Sequence, residues 1–246
     1  MVHSIDNGIG KEVFATGEYD FQKFVLAFDL CNKNLNGRKK PTILIDAGAN
    51  IGTICIPAVA RGFVRRAVAI EPAPLNCRLL RANIALNDLS DSILVHECAL
   101  GASTDVELAL ELHTTNFGDH RIWVTTDDDI ELKNKVHVKS GTLDGLCPEV
   151  DYLDSVLWMD IQGYEGFALL GGKDLLKTRI PLIIEFWPYG MRRANAFSAL
   201  KSAVAHYDGY FDLSDPDKMH TIDTLDDLCR SIGECEEGSY TDILIL

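Results

Sequence analysis

The feature that most restricts this fold is an alternation of short apolar runs with helix-patterned segments. TILID (42–46), AVAIE (67–71), ILVHE (93–97), SVLWMD (155–160) and PLIIEF (181–186) are rich in β-branched residues and read as buried core strands. A helix interrupted by Pro57 is expected through about 51–61. Another is expected from Pro74 to Leu86, with Leu75, Leu79, Leu80, Ile84 and Leu86 roughly on one face. A further helix is expected at about 194–206. Strands separated by helices require crossover connections, hence a doubly wound α/β fold with a mostly parallel sheet covered on both faces.

Two regions stand outside this rhythm. Residues 19–35 carry Phe21, Phe24, Val25, Phe28, Cys31 and Leu35 at helical spacing, and Gly37 to Pro41 then breaks the pattern. Residues 1–40 are therefore expected as an N-terminal helical extension and residues 41–246 as the α/β domain. DVELALEL (105–112) alternates polar and apolar residues, as a half-buried strand does. Residues 113–135 then form a long irregular excursion, acidic at Asp127, Asp128, Asp129 and Glu131. Insertions of this length in α/β domains often carry function. GYFDL (209–213) and TDILIL (241–246) read as late strands.

Composition narrows the partners. The 246 residues carry a net charge of −14, and Arg38-Lys39-Lys40 is the longest basic run. A polyanion would be repelled overall, so a nucleic acid is not the expected partner. No apolar stretch reaches the ~20 residues of a membrane span. The N-terminal MVHSIDNGIGKEVF lacks a signal peptide's apolar run, so no membrane partner and a cytoplasmic location are expected. The seven cysteines are an odd number, form no C-x-x-C pair and sit mostly among apolar neighbours, as buried thiols do.

Chemistry concentrates at two strand ends. Asp46-Ala-Gly48-Ala-Asn50-Ile-Gly52 follows the first core strand and opens a helix. Its small residues let a ligand approach the backbone, and helix N-termini present free N–H groups. Asp46 could accept hydrogen bonds from a cationic amino group. Glu71 ends the second strand, where an acid can hold both hydroxyls of a ribose. Loop and acid together point to a nucleoside ligand. A dinucleotide loop would read G-x-G-x-x-G, but Asn50 stands at the middle glycine, where a pyrophosphate needs close backbone approach. The loop therefore suits a nucleoside without phosphate, such as S-adenosylmethionine. A nicotinamide-dependent oxidoreductase and a non-catalytic nucleoside-binding protein remain as alternatives.

DAGANIG (46–52), AIEPAPLNCRLLRANIALNDL (69–89), ALG (99–101), MDIQGYEGFALLGG (159–172) and IIEFWP (183–188) occur in this order. Over about residues 42–188 the chain resembles the FkbM family of class I methyltransferases. The resemblance implies a seven-stranded sheet with a C-terminal antiparallel strand, GYFDL and TDILIL pairing at one edge. It implies S-adenosylmethionine as cofactor and O-methylation of a small molecule, such as a sugar or polyketide hydroxyl. By position, Asp46, Gly48, Asn50 and Gly52 would line the methionine end, Glu71 would hold the ribose, Pro72 and Asn76 would shape the nearby wall, and Ala99 would lie near the adenine. Trp158 and Gln162 depart from the family's Lys-Ile-Asp-Val-Glu-Gly pattern, while Asp160 and Gly163 keep it.

Three residues are candidates for the chemistry. Asp160 ends the fourth core strand, where it could touch the methyl donor or deprotonate the acceptor; the alternative is an N-cap for the next helix. Glu185 lies inside an apolar run, where a carboxylate is costly unless partnered. His120, in the irregular excursion, could remove the acceptor proton. Glu165 is expected to be solvated, and no bound metal is expected.

Overall fold

The computed structural model describes residues 1–35, 37–124, 134–233 and 238–246. Asp127, Asp128, Asp129, Glu131 and Cys235 lie outside the described residues. Two helices come first, α1 (Ile9–Thr16) and α2 (Phe21–Lys33). The strand–helix alternation then runs through β1 (Ile43–Ala47), α3 (Cys55–Ala60), β2 (Arg66–Ile70), α4 (Pro74–Leu86) and β3 (Ile93–His96). An all-β insertion follows: β4 (Ala99–Leu100), β5 (Glu107–Glu111), β6 (Arg121–Ile122) and β7 (Lys135–Gly141). The chain rejoins the main layer through α5 (Leu143–Leu146), β8 (Ser155–Met159), α6 (Glu165–Leu170), α7 (Lys173–Lys177) and β9 (Leu182–Phe186). Its last part is α8 (Pro188–Arg193), α9 (Phe197–Val204), β10 (Gly209–Asp212), β11 (Met219–Thr221), α10 (Leu225–Ile232) and β12 (Thr241–Ile245).

The main sheet has the order β11-β10-β12-β9-β8-β1-β2-β3. From β3 to β9 every pairing is parallel, and β12 runs antiparallel to both β9 and β10. β10 and β12 do pair antiparallel, but TDILIL is an interior strand. All five residues of β12 are buried, which an edge strand could not achieve. The edge belongs instead to β11, an eighth strand that the sequence reading did not contain. It is short and polar, as edges usually are.

Local differences have local causes. α3 begins at Cys55, which places Pro57 in the first turn, where its missing N–H breaks no helical bond. The helix expected at about 194–206 is α9, and a separate short helix, α8, precedes it, the two divided at Asn195, whose φ is +54°. DVELALEL forms β5, as its alternation implied, in a separate sheet of order β4-β7-β5-β6.

Apolar side chains pack on both faces of the main sheet. The amphipathic pattern of residues 19–35 forms α2, and its buried face is part of one of these cores. Phe21, Phe24 and Phe28 are at most 1% exposed and cluster with Leu44, Val156 and Trp158. Phe24 stacks on Phe21 and Phe28 at 5.5 and 5.4 Å between centroids and meets the Trp158 ring edge-on at 6.1 Å. Phe24→Ala is therefore expected to lower unfolding free energy by about 3–5 kcal/mol, as a full core cavity does. Urea denaturation checks this; a loss under about 1 kcal/mol would mean that α2 is a dispensable appendage.

Candidate active site

A cleft open to solvent lies at the carboxyl ends of β1, β2, β3 and β8. Gly48, Asn50, Thr53 and Ile54 line it from the turn after β1, and Glu71 and Pro72 from the turn after β2. Cys98, Ala99 and Leu100 follow β3, and Asp160, Ile161 and Gln162 follow β8. Ile9, Tyr19 and Asp20 approach from the N-terminal segment, while Leu110, Phe117, Gly118, His120 and Ile122 approach from the inserted sheet. Pro72, Asn76 and Ala99 are thus lining residues as well.

The turn after β1 needs glycine at 48. Its φ is +86°, and a Cβ there would lie 1.8 Å from the carbonyl oxygen of Asp160. The cofactor-side loop and the loop after β8 therefore touch backbone to backbone. Asn50 also takes a left-handed conformation, φ +49°, which asparagine tolerates better than most residues. Its N–H donates to Glu71 Oε2 at 3.0 Å. Glu71 Oε1 accepts from Ala73 N at 2.9 Å and from Asn76 Nδ2 at 3.3 Å. Burial pushes the Glu71 carboxyl up to about 7, against these three bonds.

Two expected cofactor residues sit elsewhere. Asp46 Oδ2 accepts the N–H of Cys55, the first residue of α3, at 3.0 Å, and Asp46 does not line the cleft. Gly52 is also absent from the wall; its φ of +94° serves the turn, and a Cβ would strike Ile56 and Leu80. Both residues shape the loop from behind.

The catalytic candidates separate more sharply. Asp160 does not cap α6: Tyr164 holds the N-cap position, and the Asp160 carboxylate instead accepts from Gln162 Nε2 at 2.8 Å and pairs with Glu185. Gln162 Nε2 also reaches Glu185 Oε2 at 3.3 Å, so the residue that departs from the family pattern bridges two acids. Burial and the neighbouring Asp160 push Glu185 well above the ordinary carboxylate range. Glu185 therefore holds a proton and donates it to Asp160, whose own carboxyl is raised by burial. Glu185 does not line the cleft and stands behind Asp160 and Gln162, which do.

His120 is in the cleft wall, but not as a base. Its Nδ1 accepts the N–H of His113 at 3.0 Å, which puts the proton of the neutral ring on Nε2. Burial pushes its pKa down to about 4, so the ring is neutral at pH 7 and offers a donor. The expected proton abstraction by His120 does not fit this geometry.

The sequence reading missed Glu165 and Asp6. Glu165 is fully buried, not solvated; its Oε1 takes the N–H groups of Ile161 and Gly163, at 3.1 and 3.2 Å, and so fixes the turn carrying Gln162. Asp6 accepts from Gly8, Gly10 and Phe117 N–H groups, tying the N-terminal segment to the loop over the cleft. The available signal was an acid close to glycines: Asp6 lies two and four residues before Gly8 and Gly10, and Glu165 two residues after Gly163.

The donor set fits S-adenosylmethionine. The lining includes Asp20, Glu71 and Asp160 and, among the described residues, no lysine or arginine. That is a poor place for a pyrophosphate and a good one for a ligand carrying sulfonium and ammonium charges. Buried acceptor oxygens of Asn50 and Asn76 lack partners, as a donor-rich nucleoside requires. Among the described residues, no group of three or more His, Cys, Asp or Glu is arranged to hold a metal ion.

The methyltransferase FkbM domain matches residues 46–211, more than half of the chain. The chain belongs to the FkbM methyltransferase family. Its domain is a class I, S-adenosylmethionine-dependent methyltransferase domain. No curated protein matches it. Several solved structures are similar to the chain at low identity. The METTL16 methyltransferase domain is 12% identical over 91% of this chain, with a TM-score of 0.46, and this chain spans 65% of it. The precorrin-6y C5,15-methyltransferase of Geobacter metallireducens is 9% identical, with 92% and 87% of the two chains covered and a TM-score of 0.46. The geranyl diphosphate C-methyltransferase of Streptomyces coelicolor is 13% identical, with 96% and 81% covered and a TM-score of 0.44. Among the described residues, no helix is long and apolar enough to cross a membrane.

The buried acids set a pH dependence. Glu165 rises from 4.5 to about 7 through desolvation, so the folded state binds its proton more tightly than the unfolded state does. Stability from this group is present below about pH 4.5 and is lost as pH rises toward 7. Glu165→Gln keeps the Oε1 acceptor and removes the charge. It is expected to raise stability at pH 8 by up to about 2–3 kcal/mol and to change it little at pH 4. Denaturant melts at the two pH values check this; an equal effect at both would assign the gain to packing.

Proposed function

We propose that this enzyme transfers the methyl group of S-adenosylmethionine to a hydroxyl of a small, uncharged or cationic acceptor, with Asp160 as the general base. The observation that carries this reading is the Asp160–Gln162–Glu185 arrangement at the end of a cleft lined by acids and, among the described residues, by no lysine or arginine. The methyl donor is already activated, so the protein supplies position and a proton acceptor. A hydroxyl needs such an acceptor, and a carboxylate raised toward neutral pH is better matched to that task than an exposed one. Glu185, protonated, and Gln162 orient Asp160 and leave one negative charge on the pair.

The charges favour the chemistry in a second way. Methyl transfer removes the sulfonium charge and releases a proton. Accepting that proton neutralises Asp160 as the cation beside it disappears, so no unpaired buried charge remains. The same acidic surroundings, with the net charge of −14, support a small molecule such as a sugar or polyketide-like alcohol over a polynucleotide.

Two measurements test this. In thermal shift, S-adenosylmethionine and S-adenosylhomocysteine are expected to raise the melting temperature and NAD to leave it unchanged; stabilisation by NAD alone would return the site to an oxidoreductase. Turnover is then followed on hydroxylated sugars and polyketide-like alcohols. Asp160→Asn is expected to lower kcat by about 10²–10⁴ with cofactor affinity nearly kept. The rising limb of the wild-type pH–rate profile, set by Asp160 above its ordinary 3.8, should vanish with it. Glu71→Ala should instead weaken cofactor binding by about 1.5–3 kcal/mol, since ground and transition states share that contact. An Asp160→Asn enzyme with normal turnover would refute the assignment of the base.

A further inference from the structure

Asn76 has an amide whose orientation is not free. Its Nδ2 donates to Glu71 Oε1 at 3.3 Å and to the carbonyl of Phe117 at 3.0 Å. Turning the amide over would set its carbonyl oxygen against two acceptor oxygens, so Oδ1 must be the atom that points elsewhere. That atom has no partner, although Asn76 is only 1% exposed and lines the cleft. Asn50 repeats the pattern: Nδ2 donates to the same Phe117 carbonyl at 2.8 Å, the residue is 7% exposed, and its Oδ1 is unpartnered. A buried acceptor without a donor is costly, and a ligand hydroxyl arriving in the cleft relieves that cost.

Glu71 makes the need specific. Its two oxygens already accept three protein N–H bonds, from Asn50, Ala73 and Asn76. A carboxylate has about four acceptor directions, so roughly one is left for a ligand. One direction cannot hold two hydroxyls. Of the two unpartnered amide oxygens, that of Asn76 belongs to the side chain that already bonds Glu71 Oε1, whereas the Asn50 side chain bonds only the Phe117 carbonyl.

We propose that Asn76 Oδ1 shares the ribose diol of the cofactor with Glu71, each taking one hydroxyl, and that Asn76 is a specificity-determining residue for ribose over deoxyribose nucleosides. This rests on S-adenosylmethionine being the ligand of the cleft. Phe117 is part of the device, because its carbonyl locks the amide in the reading orientation. The loop over the cleft and the nucleoside-reading group are thereby joined.

The test is calorimetric binding of S-adenosylhomocysteine and of its 2′-deoxy and 3′-deoxy analogues to the wild-type chain and to Asn76→Leu. Wild type should bind both deoxy analogues more weakly, by roughly tenfold or more each. Asn76→Leu should bind S-adenosylhomocysteine more weakly, lose its discrimination against one analogue and keep it against the other, which Glu71 reads. A residue that merely supports the wall would weaken all three ligands by one factor and leave both ratios unchanged, and that result overturns the proposal. Should Asn76→Leu fail to fold, Asn76→Ala replaces it. Equal wild-type affinity for all three ligands overturns the proposal without any variant. No binding of S-adenosylhomocysteine by the wild type would instead remove the cofactor assignment on which the proposal stands.

Discussion

The contact on which the site depends is the one between two turns, at Gly48 and Asp160. A side chain at 48 would occupy the place of the Asp160 carbonyl oxygen. The turn after β1 can therefore lie directly on the turn after β8. The first brings the surfaces that meet a nucleoside, and the second brings the paired acids. Parallel pairing of β1 with β8, Ala47 opposite Met159, aligns the strand ends from which both turns leave. The rest of the main sheet makes this meeting place rigid.

Electrostatics then sets the character of the cleft. Across β8, β9 and β12 a row of acids forms: Asp160 follows β8, and Glu185 and Asp242 face each other in the β9–β12 register. Lys23 of α2 pairs with Asp242 and Asp20, at 3.1 Å each, so the helix that fills the core also tempers this charge. Burial raises Asp46, Glu71, Glu165 and Glu185 in common, because a low-dielectric setting disfavours their ionised forms. Keeping such acids ionised without a counter-charge is costly, chiefly through desolvation. It becomes favourable when a cation enters, and the methyl donor is one.

Much of the architecture was legible because it follows from periodicity. The five core strands needed continuous apolar runs, and the structure contains each within a residue or so of its expected bounds. Gly48, Glu71 and Asp160 were legible because strand-end loops in α/β sheets carry ligands. What escaped depends on who partners whom. Asp46 and Glu71 look alike at two strand ends, yet one reaches back to the Cys55 N–H and the other faces the cleft. Glu165 looked like an exposed helix acid, since nothing local reveals that it collects the Ile161 and Gly163 N–H groups. The role of His120 turns on one backbone N–H donated by His113, a bond within a loop that has no period to read. The edge strand β11 is three residues long and has no apolar pattern of its own.

The segment before α2 has one more consequence. Asp6 binds the Phe117 N–H, Asn7 binds the Thr115 carbonyl, and Ile9 and Tyr19 stand in the cleft wall. The roof of the site is thus made from two stretches of chain distant in sequence, joined by a few hydrogen bonds and by the buried side chains of Ile9 and Phe117. A change at Asp6 therefore acts on both stretches at once, because the same carboxylate that shapes the turn before α1 also holds the backbone of Phe117.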